Sequence, residues 1–269
     1  MKNYKEKKSK RGSTAGRQRQ QTLSNILRPS TKTFIRQANL YSGMNGLDLG
    51  CGTGETTLLL KSIVIGGKIT GLDSRETQLK IAKEKAQQNS VPQIIFRHQN
   101  ILEWKEKQLY DFVYSRLFFN QLKKPLSLLK QIYSSLKPGG LAMIEDMDFS
   151  KFQCFPNSFA FDRFIELYIE VVKLQGANPD IGKQLYPLFQ KTGFSNIKVQ
   201  LVRPNFLTNK NKHLASLTLE NISSIIENES LATKTEIQAL LFELKEFESQ
   251  KNTMITLPGI YQVVGYKSG

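Results

Sequence analysis

The stretch LDLGCGTGETTLLL, from Leu47 to Leu60, sets three glycines two residues apart, Gly50, Gly52 and Gly54, between an apolar run and a leucine-rich run. That order reads as a strand, a bare turn and the start of a helix. Glycines there let backbone N–H groups approach a ligand at a helix N-terminus. The spacing is G-x-G-x-G, not the G-x-G-x-x-G of dinucleotide-binding turns. Asp48 and Glu55 bracket the loop and would repel a pyrophosphate held against it. A ligand with a positive end is attracted instead. Asp73 follows 19 residues after Gly54 at the end of a second apolar run, where an acid can accept hydrogen bonds from ribose hydroxyls or cap the next helix.

A ligand with an adenosine half, no phosphate, a sulfonium and an ammonium meets these conditions, and S-adenosylmethionine is such a ligand. "DLGCGTG" resembles motif I of the class I S-adenosylmethionine-dependent methyltransferases, and bacterial small-molecule members in particular. The resemblance continues through "KITGLDSRETQLKIAKEKA", "IIFRHQNIL", "YDFVYSRLFFNQL", "SLLKQIYSSLKPGG" and "LAMIEDMD". It implies an α/β fold with a doubly wound, mostly parallel seven-stranded sheet. It also implies cofactor contacts from Asp48, Gly50, Cys51, Gly52, Gly54, Asp73, Ser74, Asn100, Ile101, Ser115 and Arg116. In that scheme Asp73 takes the ribose, Ile101 lies against the adenine, and Ser115 and Arg116 stand beside the methionine part.

Methyl transfer from a sulfonium is an in-line displacement with an activated leaving group. The protein has to align nucleophile, methyl carbon and sulfur and keep water out, so an acid or base is optional. Three residues are candidates for such a role: His213, Arg116 and Asp146. Arg116 could orient an anionic acceptor or pair with Glu145 or Asp146. Glu145, Asp146 and Asp148 put three acids in four positions at the end of the fifth strand. No second carboxylate motif at metal spacing accompanies them, so no metal is expected. His98 falls in the adenine region as a rim residue, whereas His213 falls in the later helical part as a possible general base.

The elements that must position these residues alternate strand and helix from residue 46 to 146, the rhythm of a parallel sheet covered on both faces. The expected divisions are a disordered basic tail over 1–16, an N-terminal helical cover over 17–42, a cofactor-binding core over 43–148, and a helical substrate cap with the last two strands over 149–269. The cover reads as two short helices broken at Pro29. Clustered aromatics and the "GANPDIG" turn make 150–255 the expected seat of acceptor choice and a mobile lid.

Net charge is +15, but residues 1–36 hold eleven Lys and Arg against one acid, so the body of the chain is only mildly basic. The basic tail reads as a solubilising segment, with an arm for phosphate or acidic surfaces as the alternative. Two cysteines make neither a disulfide framework nor a zinc site. No run of about 18 apolar residues spans a membrane, and the charged N-terminus has no apolar core behind it. A cytoplasmic protein is expected. No N-P-P-Y-like tetrapeptide follows strand four, where enzymes that methylate flipped bases carry one, so a nucleic-acid partner is not favoured. The reading is a methyltransferase acting on a small-molecule acceptor at O, N or C. An RNA or protein methyltransferase that uses the basic arm is the alternative, and a non-catalytic S-adenosylmethionine-binding protein is a further one.

Overall fold

The computed structural model describes residues 14–206 and 209–269. In chain order these form α1 (Thr14–Gln37), β1 (Gly46–Leu49), α2 (Glu55–Ile63), β2 (Ile69–Asp73), α3 (Glu76–Gln88), β3 (Ile94–His98) and β4 (Tyr110–Arg116). Next come α4 (Pro125–Ser135), β5 (Leu136–Asp148), β6 (Gln153–Phe155), α5 (Phe159–Leu174), α6 (Leu185–Thr192), β7 (Ser195–Val202) and β8 (Asn205–Phe206). The last are α7 (Asn209–Lys212), α8 (Leu214–Asn228), α9 (Lys234–Ser249), β9 (Met254–Thr256) and β10 (Gly259–Tyr266). The chain divides into two compact units, a sheet unit of Ser30–Asp148, Asp180–Val202 and Ile260–Gly269, and a helical unit of Met1–Pro29, Phe149–Pro179 and Arg203–Gly259.

The sheet unit holds seven strands in the order β3-β2-β1-β4-β5-β10-β7. β1 pairs in parallel with β2 and β4, β2 with β3, and β4 with β5, while β10 and β7 run antiparallel. Successive side chains of a strand point to opposite faces, and the burial follows that rule. Leu47, Leu49 and Val113 pack with Phe119, Leu129, Ile132 and Phe189 on one face. Phe112, Tyr114 and Met143 pack with Phe34, Ile35, Leu60 and Val64 on the other. Each such side chain contributes about 1.5–3 kcal/mol when fully buried. The order reverses between β1 and β4, which puts a crevice at their carboxyl ends.

Glu145 ties several of these elements together. It is fully buried on β5 and accepts hydrogen bonds from the Tyr114 hydroxyl, from Thr31 Oγ1 at 3.1 Å and from Gln262 Nε2 at 2.5 Å. One carboxylate thus serves β4, the C-terminal part of α1 and β10.

In the helical unit, α5 starts on Ser158, whose Oγ accepts the Phe161 N–H, and α9 starts on Thr233, whose Oγ1 accepts the Glu236 N–H. These are ordinary N-caps, worth about 1 kcal/mol each. The apolar faces meet in an aromatic cluster, with Phe149 stacked on Tyr168 at 3.9 Å between ring centroids and Phe152 edge-on to Phe161 at 4.9 Å. A three-stranded sheet in the order β6-β9-β8 closes this unit.

Four expectations need correction. The N-terminal region is not two helices broken at Pro29 but a single helix with Pro29 inside it. Proline removes one backbone bond there, yet Leu23, Ile26, Leu27, Thr31, Phe34 and Ile35 are buried at helical spacing on both sides of it, and that burial outweighs the lost bond. The helix begins at Thr14, within the stretch expected as a tail, and the rest of the tail, residues 1–13, lies outside the described residues. β5 takes in the "LKPGG" turn expected to precede it. Finally, residues 180–194, expected with the cap, group with the sheet unit, whereas β7 and β10 are the two last strands expected of the sheet, and the small antiparallel sheet was not foreseen.

Replacing Glu145 by Ala leaves three buried donors without their acceptor. The expected cost is about 3 kcal/mol of unfolding free energy, with a smaller loss for Glu145→Gln, which keeps one acceptor oxygen. Urea unfolding followed by circular dichroism measures both. A loss below ~1 kcal/mol for the alanine variant would show that these donors find other partners.

Candidate functional site

The glycine turn leaves β1 and enters α2 through three left-handed residues, Gly50 at φ +79°, Gly52 at +53° and Gly54 at +81°. An L side chain is strained in that region. At Gly54 it would also lack room, since a Cβ would lie 2.9 Å from Ala82 Cβ and 3.2 Å from Phe96 Cζ. The N–H groups of Gly50 and Cys51 both donate to Leu72 O, at 2.8 and 3.1 Å, which fastens the turn to the end of β2. Gly52 N donates to Asp73 Oδ2 at 3.0 Å. Cys51 is buried, and burial pushes its thiol well above the usual range, so it is not a nucleophile.

Asp73 has several partners. Besides Gly52, its Oδ1 accepts the Arg75 N–H at 2.8 Å and Arg75 Nε at 3.2 Å, and Oδ2 meets Arg75 Nη2 at 3.5 Å. The N-cap of α3 is Arg75, with no side-chain cap bond, so Asp73 does not cap the helix as weighed in the sequence but holds the turn before it through the Arg75 N–H. The guanidinium bonds come from a partly exposed side chain and can exchange for another donor.

Asp48 lies buried beneath the turn and accepts the Thr57 hydroxyl at 2.6 Å. Burial pushes its carboxyl up to about 7, and the charges of Asp73 and Glu55 add to that, while the Thr57 hydrogen bond and Arg116 oppose it. Glu55 behaves differently: burial favours its neutral form, but Lys85 and Thr53 hydrogen-bond to it and bring its pKa below the ordinary value.

At the end of β3, Asn100 Oδ1 accepts the Leu102 N–H at 3.1 Å and Nδ2 donates to Glu103 at 2.8 Å, a turn that sets Ile101 into the interior. His98 Nε2 lies 3.0 Å from Ser74 O, which joins the ends of β2 and β3. Ser115 Oγ donates to Leu49 O at 2.8 Å across the β1–β4 crevice, and Arg116 Nη1 donates to Thr31 Oγ1 at 3.2 Å. The carboxyl edge of the sheet therefore gathers Asp48, Gly50, Cys51, Gly52, Gly54, Asp73, Ser74, Asn100, Ile101, Ser115 and Arg116.

The three acids ending β5 go separate ways. Glu145 serves the internal knot described above. Asp146 is fully buried and accepts the N–H groups of Met147 at 2.8 Å and Asn120 at 3.1 Å, and burial pushes it up to about 7 against those bonds. Asp148 pairs with Lys183 at 3.0 Å. His213 belongs to the helical unit, where its Nδ1 meets the buried Glu248 at 3.3 Å on the wall of a pocket of about 590 Å³ shared with Lys245 and Glu220. Sequence reasoning missed Thr57, Thr31 and Gln262, partners of buried carboxylates, and Phe118, whose ring lies 3.0 Å from a Cβ built on Gly50. Thr57 and Phe118 stand inside the quoted stretches and Thr31 and Gln262 outside them, but for all four only the folded register shows what each side chain faces.

The residues present fit S-adenosylmethionine. Three neighbouring carboxylates, one of them held partly protonated for want of a counter-charge, suit a ligand that brings a cation and oppose one that brings a pyrophosphate. Known proteins agree with this. A methyltransferase-domain family model matches residues 40–193. The demethylmenaquinone methyltransferase of Lactococcus lactis subsp. lactis strain IL1403 is 30% identical over 184 residues, 63% of this chain and 72% of that protein. The trans-aconitate 2-methyltransferase of Agrobacterium fabrum strain C58 is 31% identical over 117 residues, 44% of each chain. Among solved structures, the YcgJ protein of Bacillus subtilis has a TM-score of 0.60 at 14% identity, covering 88% of this chain and 97% of that one. The phosphoethanolamine N-methyltransferase 2 of Haemonchus contortus, in complex with S-adenosyl-L-methionine, has a TM-score of 0.54 at 19% identity, covering 94% and 53%. The chain belongs to the methyltransferase-domain family and is a class I S-adenosylmethionine-dependent methyltransferase.

Proposed function

We propose that this enzyme transfers the methyl group to a small-molecule acceptor. The relatives named above act on a quinone precursor and on a small acid, and the observation that carries the reading is the acid-lined glycine turn closed by Asp73. S-adenosylmethionine supplies the methyl group on a sulfonium, a leaving group that needs no protonation. The chain's part is to bind, orient and exclude water. In this reading Asp73 accepts the ribose hydroxyls in place of the Arg75 guanidinium while its bonds to Gly52 N and Arg75 N stay. Gly50, Cys51, Gly52 and Gly54 give the ligand close approach to backbone, with Ser74 beside them. Asn100 and Ile101 frame the adenine, and Asp48, Ser115 and Arg116 surround the methionine end. Asp146 and His213 stay candidates for a proton-transfer role.

The proposed location is the cytoplasm. Both cysteines are buried free thiols, as a reducing compartment permits, and no helix among the described residues is long and apolar enough to cross a membrane. The acceptor is found by incubating the protein with isotope-labelled S-adenosylmethionine and a fractionated cell extract. Label in a small-molecule fraction supports the proposal, and label only in RNA or protein overturns it.

Titration calorimetry with S-adenosylhomocysteine tests the site. Asp73→Ala is expected to weaken binding by about 1–3 kcal/mol, the scale of lost hydrogen bonds to a charged group. Arg75→Ala is expected to leave affinity equal or better, since it removes a competitor for the same carboxylate. A loss at Arg75 as large as at Asp73 would mean that the guanidinium itself holds the ligand.

Asp48 predicts a pH dependence of stability. An exposed aspartate ionises near pH 4 and Asp48 near pH 7, so between those values the folded chain holds a proton that the unfolded chain has released. Stability falls as pH rises through this window and levels off above it. Asp48→Asn keeps an acceptor for Thr57 without the charge, so its urea midpoints at pH 5 and pH 8 should lie closer together than those of the wild type. Equal spacing in the two proteins would remove Asp48 as the source.

A further inference from the structure

Arg19 stands on the face of α1 that turns Ala15, Leu23, Ile26 and Leu27 inward, within the helical unit. Its Nε donates to Thr218 Oγ1 at 2.9 Å. No carboxylate pairs with it among the described residues. Two other cations of this unit, Arg163 and Lys212, have more partners. Arg163 bridges Glu236 at 3.0 Å and Glu166 at 3.3 Å and also donates to Leu231 O. The buried Lys212 ammonium donates to Gln250 O at 2.7 Å and Thr253 Oγ1 at 2.9 Å. A guanidinium carries five N–H donors and cannot shed its charge, so a single neutral hydroxyl leaves most of its bonding capacity unused. Burial draws the Arg19 pKa down, opposed only by the charge of Tyr168.

A second, independent group points the same way. Asn221 follows Thr218 by three residues on α8, which places the two side chains on one face of the helix. It is 5% exposed, and its Oδ1 meets no donor among the described residues. A buried amide left so costs about 1–3 kcal/mol. The Thr218 hydroxyl that takes the Arg19 Nε–H and the unmatched Asn221 oxygen stand a helical turn apart on α8, an arrangement that an anion with a neighbouring hydroxyl or amine would complete.

We propose that Arg19, Thr218 and Asn221 form a recognition site for a small organic anion, its carboxylate or phosphate on Arg19 and an adjacent O–H or N–H on Asn221 Oδ1. This makes Arg19 a ligand-recognition residue of the helical unit and not only a cation of the N-terminal helical cover.

The experiment uses the full chain and four probes: succinate, citrate, glycerol 3-phosphate and inorganic phosphate, each titrated by calorimetry against a matched chloride control. The expected result is saturable binding of at least one probe, weakened at least tenfold in Arg19→Met and less in Arg19→Lys. Carboxylate and phosphate arms tell the two sources apart, since inorganic phosphate binding as well as glycerol 3-phosphate would assign a bare phosphate site. Without probe, Arg19→Met should unfold at the same or a higher temperature than the wild type, because it removes a half-buried charge that has no counter-charge among the described residues. A drop of several degrees would make Arg19 a structural residue and overturn the proposal, as would failure of all four probes to bind the wild type. Asn221→Leu serves as a second variant, and unchanged probe affinity there removes Asn221 from the site. S-adenosylhomocysteine titrated in parallel separates the two readings. Its failure to bind strikes the methyltransferase site and leaves the anion titration standing.

Discussion

The hydrogen bond from Gly52 N to Asp73 Oδ2 is the constraint on which the sheet edge is organised. The turn after β1 is left-handed at three glycines, and two of its other N–H groups already go to Leu72 O. Asp73 takes the remaining inward-facing one and is itself fixed by the Arg75 N–H at the start of α3. One carboxylate thus fixes the turn, the end of β2 and the next helix in mutual register. Its chemistry requires an acid: an amide in its place would offer one oxygen where two are used, and an apolar residue would leave buried N–H groups unmatched. The glycine pattern and the aspartate that follows it are therefore a single unit, and their separation in sequence is the length of one α–β connection.

The same edge collects more carboxylates than its cations neutralise, and the fold handles each by a different route. Glu145 is given three side-chain donors from three elements, and Asp148 is given Lys183. Asp146 receives only backbone N–H groups, and Asp48 a single hydroxyl, so for both the cost of burying a charge is met by raising the pKa toward neutrality. Asp48 lies nearest the turn. A buried acid held close to half-protonated is the group whose charge a cationic ligand changes most, which links the electrostatics of the empty-handed protein to the kind of ligand its turn admits.

How much of this could be read from the residues differs by feature. The order of the first five strands followed from alternation of apolar runs with helical periodicity, because a parallel strand buried on both faces leaves a dense apolar signature. The glycines, Asp73 and Asn100 were legible because each sits at a strand end where spacing is fixed by the fold. The continuous α1 was not, since Pro29 is a strong local signal and the burial that overrides it is tertiary. β6, β8 and β9 are two or three residues long and too short to carry a period. Thr57, Thr31 and Gln262 are common polar residues whose importance comes only from the buried acid each one faces. β7 was legible as one of the last strands, but residues 180–194 joined the sheet unit for a reason that a linear reading cannot reach: Ile181, Leu185, Phe189 and Phe194 pack in the same core as Val113 and Ile144.

Arg19 shows how charge counted along a chain can mislead. In the sequence it is one of eleven cations over residues 1–36, just past the tail read as solubilising, and nothing local distinguishes it from them. In the fold, its position on the inward face of α1 separates it from its neighbours, because helical geometry, not local composition, decides which of those side chains meets the interior. A half-buried guanidinium whose partner in the chain is one neutral hydroxyl contributes little to stability, so a chain selected only for stability has no need of it there. Where local rules are broken without compensation inside the molecule, the compensation is most economically sought in what the molecule binds. The uncompensated cation beside an uncompensated amide thus carries information about the ligand that the well-matched Arg163 and Lys212 do not.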